Sequence, residues 1–178
     1  MSGNNPLRKT ARDMALSMGL IAGIIALVLL VTWRPQPDPV RAVDPLPVAQ
    51  QASLAAEYPI LLPAVLPGWR ATSARFEPTA ESDEIPVWFN GWVTPDEHFV
   101  ATVQSANTTQ SFVEEMTIDA VSADDAPDTP GWDAYVSPGN GQRSLVRETD
   151  GVTTIVTGSL DWAGLIAYRD SLEPAAVP

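Results

Sequence analysis

The chain predicts an α+β fold, an antiparallel sheet of about six strands with helices packed on it, set behind an amino-terminal transmembrane helix. Three observations predict it. One stretch of 20 residues carries no charge. Farther along, segments rich in β-branched and aromatic residues are separated by turn signals. Segments of helical composition stand before, between and after two sets of three such strands, so the order is not the strict alternation of a parallel α/β sheet.

The uncharged stretch is "MALSMGLIAGIIALVLLVTW", Met14–Trp33. As a helix it would be about 30 Å long, the thickness of a bilayer's hydrocarbon core. Arg8, Lys9 and Arg12 precede it, and Trp33-Arg34 follows it as an interfacial aromatic and a stop charge. A cleaved signal peptide would have a shorter apolar core, and the nearest small-residue sites, around Ala49 and Ala52, lie well beyond the run. The positive-inside rule gives residues 1–13 as a cytoplasmic tail, 14–33 as the membrane span and the remainder as extracytoplasmic, in the cell envelope. Arg34–Pro47 holds five prolines (35, 37, 39, 45 and 47) and reads as an extended, semi-rigid tether. The domain proper is 48–178.

Within the domain, "VAQQASLAAEY" (Val48–Tyr58) is a helix ending before Pro59. "YPILLPAVLPGW" is an apolar, proline-broken approach crossing a sheet edge. Strands follow at Trp69–Pro78, Ile85–Val93 and His98–Ala106, with "TAESDE" as a loop. A second helix, "SFVEEMTIDAV", starts from a Ser111/Glu114 capping box and carries Phe112, Val113, Met116, Ala120 and Val121 at helical spacing. After the breaker "SADDAPDTPG", three strands read as "WDAYVS", "QRSLVRET" and "VTTIVTG". "PGNG" turns the first into the second, and Asp150-Gly151 is a two-residue hairpin signal between the others. Asp161 caps a closing helix, Asp161–Leu172, whose Trp162, Leu165, Ile166 and Leu172 face the sheet.

Charge and composition exclude several functions. From Arg34 onward seven arginines meet 21 acidic residues, leaving −14, and such a surface repels nucleic acid. The absence of cysteine removes disulfides, thiolate metal sites, a cysteine nucleophile and a lipidated cysteine. One histidine without cysteine makes zinc improbable, and "DAVSADDAPD" lacks the glycine and terminal glutamate of an EF-hand loop, so no metal site is expected. "GNGQRS" leads into a strand, so it fails as a dinucleotide fingerprint, and no cofactor is expected.

The sole histidine, His98, follows Thr94-Pro95-Asp96-Glu97, a sequence suited to a type I turn. A hydrolase would have to use it, yet no G-x-S-x-G elbow marks a serine. No catalytic residue is assigned. Arg143 and Arg147 share one strand face and, with Trp132, are the candidates for binding a carboxylate, phosphate or glycan; the alternative is that the arginines neutralise neighbouring acids. The resulting expectation is a non-catalytic binding module, with an envelope protein as partner and the bilayer engaged through Met14–Trp33.

Four blocks in order, "ARDMALSM", "YPILLPAVLPGWRATSARF", "GWVTPDEHFVATVQS" and "GQRSLVRETDGVTTIVTGSLDWAGL", resemble the domain of unknown function 4245 family, from about Thr10 to Leu172. The resemblance implies a single-pass actinobacterial membrane protein with an outward-facing domain, and brings no activity, cofactor or catalytic residue. The element order is similar to the PsbP/Mog1-like fold, a sheet with helices on both sides, which implies no function.

Overall fold

The computed structural model describes residues 42–64, 67–78 and 85–176, together with Met14, Leu16, 18–26 and Val28 of the amino-terminal run. Contacts divide the chain into Met1–Pro39 and Val40–Pro178. In the first unit the described residues are helical with exposed side chains. Among the described residues no helix is long and apolar enough to cross a membrane. The rest of the expected span, the basic flank and the tether as far as Arg41 lie outside the described residues.

The second unit is α+β, as its sequence predicts, with more strands than expected. Helix α1 (Leu46–Ala55) leads to the short strand β1 (Leu61–Pro63), then β2 (Arg70–Pro78), β3 (Pro86–Val93) and β4 (Phe99–Ser105). Helix α2 (Gln110–Thr117), β5 (Val121–Ser122), β6 (Asp133–Val136), β7 (Arg143–Thr149) and β8 (Val152–Gly158) follow, then helix α3 (Trp162–Asp170) and β9 (Leu172–Pro174). The main sheet has seven strands in the order β2-β3-β4-β8-β7-β6-β5, and β1 pairs with β9 in a separate ribbon. Every pairing is antiparallel.

The expected count of six strands falls short for two reasons. Strand β5 is only two residues long, too short for period-2 alternation to register. It uses Val121, which the apolar stripe had assigned to the second helix. That helix stops at Thr117, because Ile118 and Asp119 both adopt left-handed backbone (φ 60° and 50°). Its amino-terminal cap is Thr109, whose Oγ1 accepts from Phe112 N (3.3 Å), not Ser111. The ribbon was hidden by prolines: Pro63 and Pro174 sit in three-residue strands, where few ladder bonds are lost. Helix α1 begins at Leu46, two residues before its expected start, with Pro in its first turn, where a missing N–H costs nothing.

Strands β4 and β8 form the centre. From Val100 to Ser105 and from Thr153 to Gly158 every residue is buried, on both sheet faces. Gly158 is required here, since a Cβ would run into the Phe99 carbonyl and stand 2.8 Å from Val100 Cα. Alternation sends Val100, Val156 and Leu145 to one face, where Leu165 and Tyr168 of α3 cover them. Val87, Val103, Val146 and Ile155 reach the other face and pack on Phe112 of α2. A third cluster joins Ala49 and Ala52 of α1 to Ile60 and Trp88. Helices therefore lie on both sides of the sheet.

Two turns follow their sequence signals. Asp150 (φ 52°) and Gly151 (φ 74°) form the two-residue left-handed turn that joins Thr149 to Val152. At the β3–β4 turn Glu97 N donates to Thr94 O (3.0 Å) and Glu97 takes φ 62°.

Leu165→Ala removes a fully buried side chain from the α3 contact, and a loss of about 2–5 kcal/mol in urea unfolding is expected. Leu54→Ala, on the solvent side of α1 at 74% exposure, should leave the midpoint within about 0.5 kcal/mol of the parent.

Candidate functional site

The register of three strands builds the floor of a cleft. Thr154 of β8 lies opposite Gln104 of β4 on one side and opposite Arg147 of β7 on the other. Gln104, Thr154 and Arg147 thus form one row on the face that carries α1 and α3. At the β4 end of the row the segment after α1 closes over Gln104. The Gln104 amide donates to Pro59 O (3.2 Å) and its oxygen accepts from Leu61 N (2.7 Å). At the other end the row stays open. A cavity of about 330 Å³ remains, bounded by Glu57, Tyr58, Pro59 and Leu61 on one side and by Thr149, Asp150 and Val152 of the β7–β8 hairpin on the other.

Arg147 is the unusual member. Its guanidinium carbon lies 4.6 Å from the centre of the Trp132 ring, a cation–π contact. Its Nε is buried and has no hydrogen-bond acceptor. Among the described residues no carboxylate pairs with it. A buried guanidinium N–H without an acceptor is costly, on the order of 1–3 kcal/mol. In a domain with so many acids, the missing partner is a feature of the site.

Arg70, at the start of β2, is exposed and far along the sheet from the cleft, while Arg143, Arg169 and Arg75 are each occupied. Arg143 donates to Leu160 O (3.0 Å) and lies 5.6 Å from the Trp162 ring. Arg169 grips Asp170 through Nε (2.8 Å) and one terminal nitrogen (2.7 Å), and also reaches the Trp132 ring at 5.8 Å. Arg75 pairs with Glu77 (3.6 Å). Of the three binding candidates expected from sequence, the structure brings Arg147 and Trp132 together and leaves Arg143 outside the cavity, tied to the β8–α3 junction. Among the described residues neither Arg143 nor Arg147 forms an ion pair with a carboxylate.

Tyr58 was not anticipated. Its hydroxyl donates to Gln104 O (3.4 Å) at the cleft wall, and burial pushes its pKa up to about 12 from the ordinary 10.0. The phenol therefore stays neutral and keeps its bond to Gln104 O throughout the physiological range. No local pattern marks Tyr58, Gln104 or Thr154; they belong together only through long-range strand register.

His98 lies at the exposed β3–β4 hairpin end. The structure sets Ser159 against it, with Oγ 3.4 Å from Nδ1, a contact between strand ends that sequence could not indicate. The same hydroxyl accepts from Phe99 N (3.0 Å) and so serves the end of the β4–β8 ladder. Among the described residues no carboxylate holds the second imidazole nitrogen, and neither residue borders the cleft. The geometry is that of a turn, without the base-orienting acid that a serine nucleophile needs.

A second cavity of about 330 Å³ lies on the opposite face beside α2, bordered by Val87, Phe89, Phe99, Met116 and Ile118. Its arginine, Arg75, is spent on Glu77 and on the Phe89 ring (4.1 Å). The Arg147 cleft is therefore the stronger candidate site.

The raised Tyr58 value has a defined consequence for stability. Between the unfolded value of 10.0 and the folded value of about 12, the unfolded chain releases the phenolic proton and the folded chain keeps it. Stability from this group is complete below pH 10 and falls as pH rises through 12. Tyr58→Phe should lose less stability than the parent between pH 9 and about pH 11.5 in denaturant titrations, with the remaining alkaline loss carried partly by buried Tyr168, whose phenol burial also pushes up.

No curated protein matches the chain. A family model described as protein of unknown function (DUF4245) matches residues 7–171, which takes in the cleft, its floor and both covering helices. With nearly its whole length matched, the chain belongs to the DUF4245 family.

Proposed function

We propose that the chain is a membrane-anchored, non-catalytic binding domain that holds a small molecule by an anionic group placed on Arg147. The observation that carries the reading is the unpaired guanidinium. It is fixed on Trp132, borders a cavity large enough for a small ligand and lacks an acceptor from its own fold. A carboxylate or phosphate oxygen would pair with the terminal guanidinium nitrogens in charge-assisted geometry. Tyr58, Thr149 and Thr154 add hydroxyls around the same space. Among the described residues no hydroxyl that borders the cleft is hydrogen-bonded to a carboxylate or imidazole, which favours binding over turnover.

Support for the anchor is the uncharged run Met14–Trp33 with Arg8, Lys9 and Arg12 before it. Length matches a bilayer, and the positive-inside rule favours a cytoplasmic tail with the domain in the envelope on the outer side.

A partner protein is the second reading, favoured by Ile118, which borders the cavity near α2, and by Val121 of β5, exposed at 50% and 52% respectively. Ile118→Asp should then abolish a specific in-cell crosslink from that face; an unchanged crosslink removes this reading.

The main test is equilibrium binding of small carboxylates and phosphate esters to the full-length chain in detergent, followed by tryptophan fluorescence. Saturable binding weakened about tenfold or more by Arg147→Gln, and unchanged by Arg75→Gln, is expected. Equal binding by the parent and Arg147→Gln would remove the site. Protease added to spheroplasts should cut the domain; protection of its carboxyl end would contradict the orientation.

A further inference from the structure

We infer that the Arg147 cleft takes a zwitterion, a small aliphatic amino acid or dipeptide with free ammonium and carboxylate groups. The inference rests on the reading of Arg147 as an anion receptor and adds what lies across the cavity. The same space is bordered by two carboxylates, Glu57 after α1 and Asp150 at the hairpin tip. With Arg147, the ionised groups around the cavity come to one positive and two negative, within a domain whose balance from Arg34 onward is −14.

A ligand that is only an anion gains Arg147 and meets repulsion from both carboxylates and from the domain's field. A ligand that is only a cation satisfies the carboxylates and leaves the guanidinium without its acceptor. One carrying both charges a few bonds apart satisfies both sides at once. The carboxylates stand on different elements from Arg147, and neither forms an ion pair among the described residues. Asp150 is held by its hairpin: its left-handed backbone is one half of the two-residue turn, so its position follows from the β7–β8 register that also sets Arg147. Between the charged groups, Pro59, Leu61 and Val152 present apolar surface suited to a short aliphatic side chain.

The test uses the full-length chain in detergent and three probes: alanyl-alanine, its N-acetyl derivative and its carboxamide. Calorimetry should find alanyl-alanine bound at least about tenfold more tightly than either blocked probe. The Glu57→Gln/Asp150→Asn double variant should bind the N-acetyl derivative more tightly than the parent does, and Arg147→Gln should erase the preference for dipeptide over carboxamide. If the N-acetyl derivative binds the parent as tightly as alanyl-alanine, and Arg147→Gln abolishes both, the zwitterion inference fails while anion binding stands. If none of the three probes binds the parent, or Arg147→Gln leaves their affinities unchanged, both fail.

Discussion

The register of β8 against β4 and β7 is the constraint on which the rest of this domain depends. Thr154 has a fixed opposite residue on each side, Gln104 and Arg147, and a slip of β8 by one residue would turn Thr154 to the α2 face and break the row. The slip is prevented from both sides, because Val156 and Ile155 are fully buried on opposite faces, against α3 and α2 respectively. Gly158 adds a local lock, since only a residue without Cβ fits against Phe99 and Val100 at the end of the ladder.

From that register the cleft follows without further specification. Helix α3 covers the middle of the sheet face through Leu165 and Tyr168, and α1 with Ile60 covers Trp88. Between the two covers the Arg147 end of the Gln104–Thr154–Arg147 row is left open. Gln104 is consumed in holding the chain after α1, through Pro59 and Leu61. Arg147 is held by Trp132, which fixes its direction and neutralises nothing. The site thus combines a rigid floor with one cation whose hydrogen-bonding capacity the fold leaves unused, the arrangement expected of a preorganised receptor.

Much of this was legible in the amino-acid order. Strands β2, β3, β4, β6, β7 and β8 and helix α3 follow from β-branched and aromatic composition, turn chemistry and the Asp161 cap, whose carboxylate accepts from Gly164 N (2.8 Å). Even spacing on one strand marks Arg143 and Arg147 together, with Trp132 as the candidate aromatic. What stayed hidden has a common cause. Strands β1, β5 and β9 have two or three residues each, too few for periodicity, and exist because a partner strand is present. Helix α2 stops early at Ile118, where tertiary contact outweighs local preference: Ile118 O accepts from the Ser137 hydroxyl (3.1 Å) across the sheet edge. Arg143 and Arg147 looked equivalent in sequence, and only the fold distinguishes them, since Leu160 O reaches the first and no acceptor reaches the second. Tyr58 enters the site through a contact 46 residues away, beyond any local signal.

Everything proposed for the cleft requires Arg147 to stand on Trp132 with no anion of its own. Nitrogen-15 NMR of the arginine Nε–H groups of the ligand-free, full-length chain reads that arrangement. The Arg147 Nε–H proton should be shifted upfield by the indole ring current, returning toward the ordinary arginine position in Trp132→Leu. An Arg147 signal at the ordinary position in the parent, indifferent to Trp132→Leu, or one displaying a hydrogen-bond coupling to a carboxylate, would contradict it.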